Sequence, residues 1–537
     1  MEEEKNIIPT TPTTEIAKSP KGKKKKIIIA IVVVLLIVAG VVCYLYKDKI
    51  FKTNDKTATA EKRPVSKYRM SGNGLEYFDI SFLQLENEQK NKVYSPLSIK
   101  YALAMLNEGT AGESKKQITD VIGDYKSKKY TNSKNLSLAN AMYIKDSFKS
   151  EVKESYTKNL SSKYGAEVIY DPFSSAKPMN DWVSNKTFKL VNNLLTDETV
   201  TDSQFILINA LAIDMEWNKK IQSEHDDYGV NYEHEKYSAF VSALDSGYPS
   251  LEFNNKKMAA KSAEISATAN KYDIVKEIGE DKIRKEVGEA YKKWLKSDEV
   301  CEPVEKNVDK FLDGYIKEIN SNYKKISSST DFYFYDDENV KSFAKDLKTY
   351  DGTTLQYVGI MPKQIALDEY IKNLDAKQAN EIITNLKDIK LENFKDGVIT
   401  EVSGFIPMFK MEYDLNLLND LQTLGIKDVF EEDKADLSNM IKGKNLFIAE
   451  AVHKANIEFS NDGIKAGAAT ALAGKGATGC GFEYEYDVPV EKINISFDKP
   501  YLYFVRDKDS GEVWFAGTVY EPIKYVEQSY WLIEKES

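Results

Sequence analysis

The sequence predicts an α+β fold with one segment able to join a sheet, and three observations lead there. Ala455, Ile457 and Phe459 alternate with Lys454, Asn456 and Glu458, the period of two that marks a strand with one buried face. Elsewhere the apolar period is helical: Ile283, Val287, Ala290, Tyr291, Trp294 and Leu295 fall on one face, and Val304, Val308, Phe311, Leu312, Tyr315 and Ile319 repeat the pattern beyond Pro303. Directly after the strand, Gly463 to Thr478 (GIKAGAATALAGKGAT) is rich in Gly and Ala and contains no proline, so it is neither a good helix nor a fixed turn. Counted in twos, Ile464, Ala466, Ala468, Thr470 and Leu472 share one side, and Lys465, Gly467, Ala469 and Ala471 the other. A loop without Pro, built of small residues and patterned as a strand, reads as a mobile segment with a second home.

The chain has 537 residues, enough for one large domain with additions or for two to three average ones. A net charge of -10 argues against a nucleic-acid surface. Three cysteines, at 43, 301 and 480, lie far apart and suggest neither a disulfide framework nor a thiolate metal site. Ile27 to Tyr46 carries no charge and is long enough to cross a hydrocarbon core of roughly 30 Å as a helix. Lys21 and Lys23 to Lys26 precede it, while Lys47, Lys49 and Lys52 follow. The denser basic flank predicts a cytoplasmic tail over 1–26, a transmembrane helix over 27–46 and an extracellular remainder. A cleaved signal peptide is the competing reading, but the run is long for one and no small-x-small site follows it. Residues 47–70 are polar without apolar periodicity and read as a flexible linker spanning roughly 25 to 30 Å.

The body, 71–537, opens with helical spacing from Leu75 to Leu85. Asn91 to Ile118 then runs strand, turn and helix, with Pro96 at the break. Further blocks follow: LANAMYIKDSF (Leu138 to Phe148), YGAEVIYDPF (Tyr164 to Phe173), NDWVSNKTFKLVNNLL (Asn180 to Leu195), FILINALAIDMEW (Phe205 to Trp217), TLQYVGIMPK (Thr354 to Lys363) and the long stretch Gly404 to Met440. With His453 to Thr470 and Phe497 to Pro522 they resemble, in order, the serpin family of protease inhibitors. The resemblance implies a large, mostly antiparallel central sheet, smaller sheets, about nine helices and a mobile reactive loop. It also implies a polar cluster beneath the opening of the main sheet, at Ser95, Ser98, Asn209 and His453, and a Trp at the top of the sheet, Trp217. The residues agree: Asn209 and His453 interrupt apolar strand patterns, and a buried polar side chain must find a partner or cost roughly 1 to 3 kcal/mol. Residues of about 219–330 depart from the family and read as an insertion ending in a helical hairpin. His225 and His234 there sit among acidic residues, but without helical metal spacing, so no metal site and no cofactor are expected.

Only three His occur in the chain, and there is no nucleophile elbow, phosphate loop or paired-Cys signature; the protein is expected to meet an enzyme rather than to be one. The resemblance implies suicide inhibition. A protease attacks the loop, forms its acyl-enzyme, and the freed segment inserts as a new central strand from a metastable native state. The family's hinge falls on Gly463, Ile464, Ala466, Ala468, Ala469 and Thr470. Asn461 stands where the family usually has Glu, and Ile464 where Thr, Ser or Val is usual. Family spacing places the scissile bond at Ala477-Thr478, with Lys475, Gly479, Cys480 and Tyr484 as alternatives, because the segment up to Phe497 is longer than its family counterpart. Ala477 suits elastase-like and subtilisin-like serine proteases, and a papain-like cysteine protease is also compatible. The expected partners are such a protease and, through Ile27 to Tyr46, the membrane; no nucleic acid is expected, and the protein is expected to be a monomer. The other reading is a serpin-fold binding protein that captures a partner without inserting its loop.

Overall fold

The computed structural model describes residues 75–221, 232–234, 237–239, 250–464, 482, 484 and 486–525, apart from 124, 127, 298–299, 301–302, 443–445 and 449–450. The tail, apolar run and linker over 1–70 lie outside these residues. So do His225, the hinge positions Ala466, Ala468, Ala469 and Thr470, and the Ala477-Thr478 bond. Among the described residues no helix is long and apolar enough to cross a membrane.

The elements run α1 (Tyr77–Leu85), β1 (Lys92–Tyr94), α2 (Pro96–Gly109), α3 (Gly112–Ile122), β2 (Leu136–Lys145), α4 (Glu154–Tyr164), β3 (Glu167–Asp171), α5 (Lys177–Lys186), α6 (Asp197–Asp202), β4 (Phe205–Ile213) and β5 (Met215–Glu216). Next come β6 (Tyr232–His234), β7 (Tyr237–Ala239), β8 (Ser250–Phe253), β9 (Met258–Asn270), α7 (Ile274–Ile278), α8 (Glu280–Trp294), α9 (Val308–Ser321), β10 (Lys325–Ser328), β11 (Tyr333–Asp336), β12 (Val340–Asp346) and β13 (Leu355–Pro362). The chain closes with α10 (Leu367–Asn373), α11 (Ala376–Thr384), β14 (Lys387–Asp388), β15 (Ile399–Pro407), β16 (Phe409–Asn416), α12 (Leu417–Leu424), β17 (Val452–Phe459), β18 (Gly463–Ile464), β19 (Val490–Asn494), β20 (Tyr501–Asp507) and β21 (Val513–Val519).

The longest continuous sheet has seven strands, β1-β21-β20-β13-β12-β11-β14, all antiparallel. Its middle strands are buried on both faces, which is why β13 and β21 read as nearly continuous apolar runs, broken by Gln356 and Thr518. Alternate residues of β20 divide the interior: Leu502 and Phe504 join one apolar cluster with α1 and α2, while Tyr501, Tyr503 and Val505 join a second with Trp217 and Phe459. A second sheet runs β10-β9-β15-β19, with β8 on β9.

Three expectations need correcting. The central sheet is not one piece: β3-β2-β4 and β16-β17-β18-β5 are separate sheets, because β4 and β17 do not pair and an open space lies between them. Nor are there about nine helices. Twelve occur among the described residues, three of them within 274–321, where two apolar stripes bury Ile283, Val287, Leu312 and Ile316 against each other. The stretch 219–330 is not wholly an added element either, since the thirteen-residue β9 is an interior strand of the second sheet. The helices α7 to α9 leave that sheet at Asn270 and the chain returns to it at Lys325, opposite Asn270 itself.

Candidate functional site: the sheet opening and its hinge

The site lies between β4 and β17. In β17, His453, Ala455, Ile457 and Phe459 are buried, and β16 pairs along the strand's whole length from Phe409 opposite Phe459 to Asn416 opposite Val452. The other edge of β17 is free of β4 but meets β18 at one end, where Phe459 stands opposite Ile464. Beyond β18 comes β5, with Gly463 opposite Glu216 and Ile464 opposite Met215. The first two hinge residues are thus already a strand between the two halves of the sheet.

Several contacts fix this start. Trp217, fully buried, donates from Nε1 to the Ser460 carbonyl at 2.8 Å and from its backbone N–H to the Asp462 carbonyl at 2.9 Å. Its ring packs edge-on against Phe459 at 5.4 Å. The Ile221 N–H donates to the Asn461 carbonyl at 2.9 Å, and Lys220 pairs with Asp462 at 2.6 Å. Glycine at 463 is a requirement of close approach: a Cβ there would stand 2.2 Å from the Met215 carbonyl oxygen and 2.7 Å from Glu216 Cα. The Asn461 side chain, 6% exposed, has neither polar atom hydrogen-bonded.

Below the hinge, a cavity of about 310 Å³ separates the strands, and Ser95, Ser98, Asn209 and His453 all line it. Three of the four are joined. Ser95 caps α2, its Oγ accepting from the Ser98 N–H at 3.1 Å, and its own N–H donates to His453 Nε2 at 2.9 Å. Burial pushes the His453 imidazole down to about 4, so it stays neutral and its Nε2 remains an acceptor. Asn209 stands on the opposite wall and does not join them. Its Nδ2 donates to Asn140 Oδ1 on β2 at 2.6 Å, and its buried Oδ1 has no hydrogen bond. The remaining lining is mostly apolar, including Ile99, Leu103, Leu207, Leu211 and Phe515. The arrangement is a sheet fastened at one end by a seeded strand, then bridged where Asn456 Nδ2 donates to the Leu190 carbonyl at 3.2 Å, and open at the level of the polar cluster.

The sequence reading missed Asn140 as the partner of Asn209, and the part of Ser460 and Asp462 in holding the hinge. It also missed that Phe482, Tyr484 and Tyr486 pack on α8 and α9, although the period of two in FEYEY (482–486) was the available signal.

The sequence model described as "Serpin (serine protease inhibitor)" matches residues 80–243 and 316–522. The chain belongs to the serpin family. Serpins are protease inhibitors rather than enzymes. Among relatives, the human leukocyte elastase inhibitor is 25% identical over 473 residues, covering 84% of this chain and 99% of that protein. An uncharacterized serpin-like protein of Methanosarcina acetivorans is 22% identical over 477 residues, covering 84% and 87%. The fold matches the native state of tengpin, a thermophilic serpin, with a TM-score of 0.52 at 21% identity over 83% of this chain and 92% of that one. Thyroxine-binding globulin in complex with thyroxine matches with a TM-score of 0.52 at 15% identity over 83% and 97%. The family match passes over 244–315, the stretch that carries α7, α8 and the start of α9.

Proposed function

We propose that this serpin inhibits proteases as a suicide substrate and does so at a cell surface. In this reading the nucleophile of a serine protease, or of a papain-like cysteine protease, attacks the carbonyl of Ala477. The amine of Thr478 leaves, and an acyl-enzyme forms. The freed segment then continues from β18 down the open space between β4 and β17 and carries the protease with it. The observation that carries the proposal is the placement of Gly463 and Ile464, already paired between β17 and β5 at the mouth of that space. Relatives named as leukocyte elastase inhibitors support a target that accepts a small residue, as Ala477 would require. The helical insertion and the membrane anchor at Ile27 to Tyr46 belong to the same proposal: the anchor holds the inhibitory body within a short tether of the bilayer.

The test is to expose the protein to a panel of serine and cysteine proteases that includes elastase-like and subtilisin-like members. A detergent-stable covalent band, together with a large rise in melting temperature after loop cleavage, is expected. Cleavage with no band and no rise refutes inhibition and leaves the non-inserting binding protein as the reading. Resistance of the membrane-bound protein to alkaline extraction tests the anchor separately.

A further inference from the structure

The helices α8 and α9 enclose more than their own contact. Tyr291 stacks on Phe311 with ring centres 3.6 Å apart and anchors its hydroxyl on the Glu305 carbonyl at 2.6 Å. Into the angle between Tyr291, Phe311 and Trp294 comes Phe482, edge-on to the first two at 5.0 and 5.5 Å and 5.8 Å from the third. Tyr315 donates its hydroxyl to the Tyr484 carbonyl at 3.1 Å. Tyr484 in turn meets Tyr486 edge-on at 5.0 Å, and Tyr486 packs on the same pair of helices. Residues 482–486 immediately follow the reactive loop in sequence, and β19 begins only at Val490. The helices themselves are rooted at both ends in the second sheet, at Asn270 and Lys325.

We propose that Phe482, Tyr484 and Tyr486, held by Tyr291, Trp294, Phe311 and Tyr315, are positioning residues that tether the C-terminal root of the reactive loop and keep the uncut loop out of the sheet. The proposal rests on the insertion reading above. An intact loop is fastened at both ends, at Ile464 in β18 and at Phe482 in the aromatic pocket. Whatever length runs down the slot must be matched by a length that returns. If the two ends are level, the uncut chain can descend only to about the midpoint, near Ala473, since each extended residue covers about 3.3 Å in either direction. Without the pocket the next fixed point is Val490, and the midpoint moves to near Ala477, deeper by about four residues of strand. Cleavage anywhere between the two ends removes the limit altogether. The tether therefore opposes insertion of the intact loop and leaves insertion of the cut loop free.

The experiment uses the full-length protein in mild detergent, uncut, held at one temperature. Samples are taken over time for heat resistance and for loop susceptibility to protease. Phe482→Ser with Tyr486→Ser should convert about 10- to 100-fold faster than wild type into an uncut, heat-resistant form whose loop no longer cuts. Tyr315→Phe, which removes only the hydrogen bond to the Tyr484 carbonyl, should accelerate the conversion a few-fold and covers the case in which the double variant does not fold. A role confined to packing would lower heat resistance without producing the heat-resistant uncut form. Conversion at the wild-type rate in both variants, or loss of function by unfolding alone, overturns the tether. Cut wild-type protein distinguishes the two layers: no gain in heat resistance refutes insertion itself, whereas a gain there with unaltered variants refutes only the tether.

Discussion

Replacing Gly463 with alanine should weaken the hinge, and the size of the effect follows from its surroundings. The added methyl would stand 2.2 Å from the Met215 carbonyl oxygen, where ordinary contacts begin at 3.4 Å. Either β5 or β18 must therefore move by about 1 Å. Overpacking of this kind costs typically 1 to 3 kcal/mol. Moving β18 also strains the bonds from Trp217 to Ser460 and Asp462 and from Ile221 to Asn461, each worth about 1 kcal/mol. Ile464, 1% exposed, would lose burial. A loss of about 2 to 3 kcal/mol is expected, seen as a fall of a few degrees in the melting temperature at a fixed scan rate. In the inhibition assay, the fraction of loop cleavages that end as covalent complex should fall and the fraction ending as simple cleaved product should rise. Gly463→Val should exaggerate both. A Gly463→Ala protein with unchanged melting temperature and unchanged partition would refute the claim that insertion begins from β18.

Three other perturbations test the surrounding structure. Lys100 and Asp79 form a fully buried ion pair at 2.5 Å between α2 and α1; Lys100→Met leaves the carboxylate buried without its counter-charge, holding only the Glu76 N–H at 2.9 Å, and should destabilise the protein by about 3 to 5 kcal/mol in urea unfolding, with much of the loss recovered in the double variant with Asp79→Asn. His453 is held near 4 against an ordinary 6.5, so the unfolded chain binds the extra proton: its contribution, roughly 3 kcal/mol, is complete above pH 6.5 and disappears as pH falls toward 4. Asp420, raised by burial to about 7, acts in the opposite sense over an overlapping range. The readout is therefore the difference between wild type and His453→Gln, which should grow with pH between about 4 and 6.5; parallel curves would refute the assignment. Trp217→Phe keeps the ring contact with Phe459 but removes the donor to Ser460. It should cost about 1 kcal/mol and lower the yield of complex, measured by titration against a fixed amount of protease.

The strands buried on one face were legible because period two survives in sequence, as in β17, where the buried His453, Ala455, Ile457 and Phe459 are every second residue. The apolar stripes of α8 and α9 were legible for the corresponding reason at helical spacing. What pairs with what was not. Nothing in FILINALAI or KANIEF says that β4 and β17 refuse each other, because pairing depends on the register of the whole sheet rather than on either strand's pattern. The glycine at 463 was placed by family position, but its reason, a backbone carbonyl 2.2 Å from where a methyl would be, is a fact of three dimensions. The polar cluster was placed by family position; the cap that Ser95 makes on α2 and the separation of Asn209 from His453 came from the structure.

That opening also supplies a physical reason for insertion that does not depend on family likeness. The Asn209 Oδ1, in the wall of the open space, lies buried without a hydrogen bond, and such an atom costs about 1 to 3 kcal/mol. The cavity itself, about 310 Å³, corresponds at a dry upper bound to roughly 7 kcal/mol of packing not made. Added to these are the unpaired backbone edges of two eight- to nine-residue strands, whose N–H and C=O groups an incoming strand would satisfy. A strand continuing from Ile464 would relieve all three terms at once, and small residues such as Ala466, Ala468 and Thr470 can enter without displacing the walls. Before cleavage the same gain would be withheld by a loop fastened at both ends. On the proposed mechanism the driving force lies in the sheet and the trigger in the loop, and a protease supplies the one broken bond that connects them.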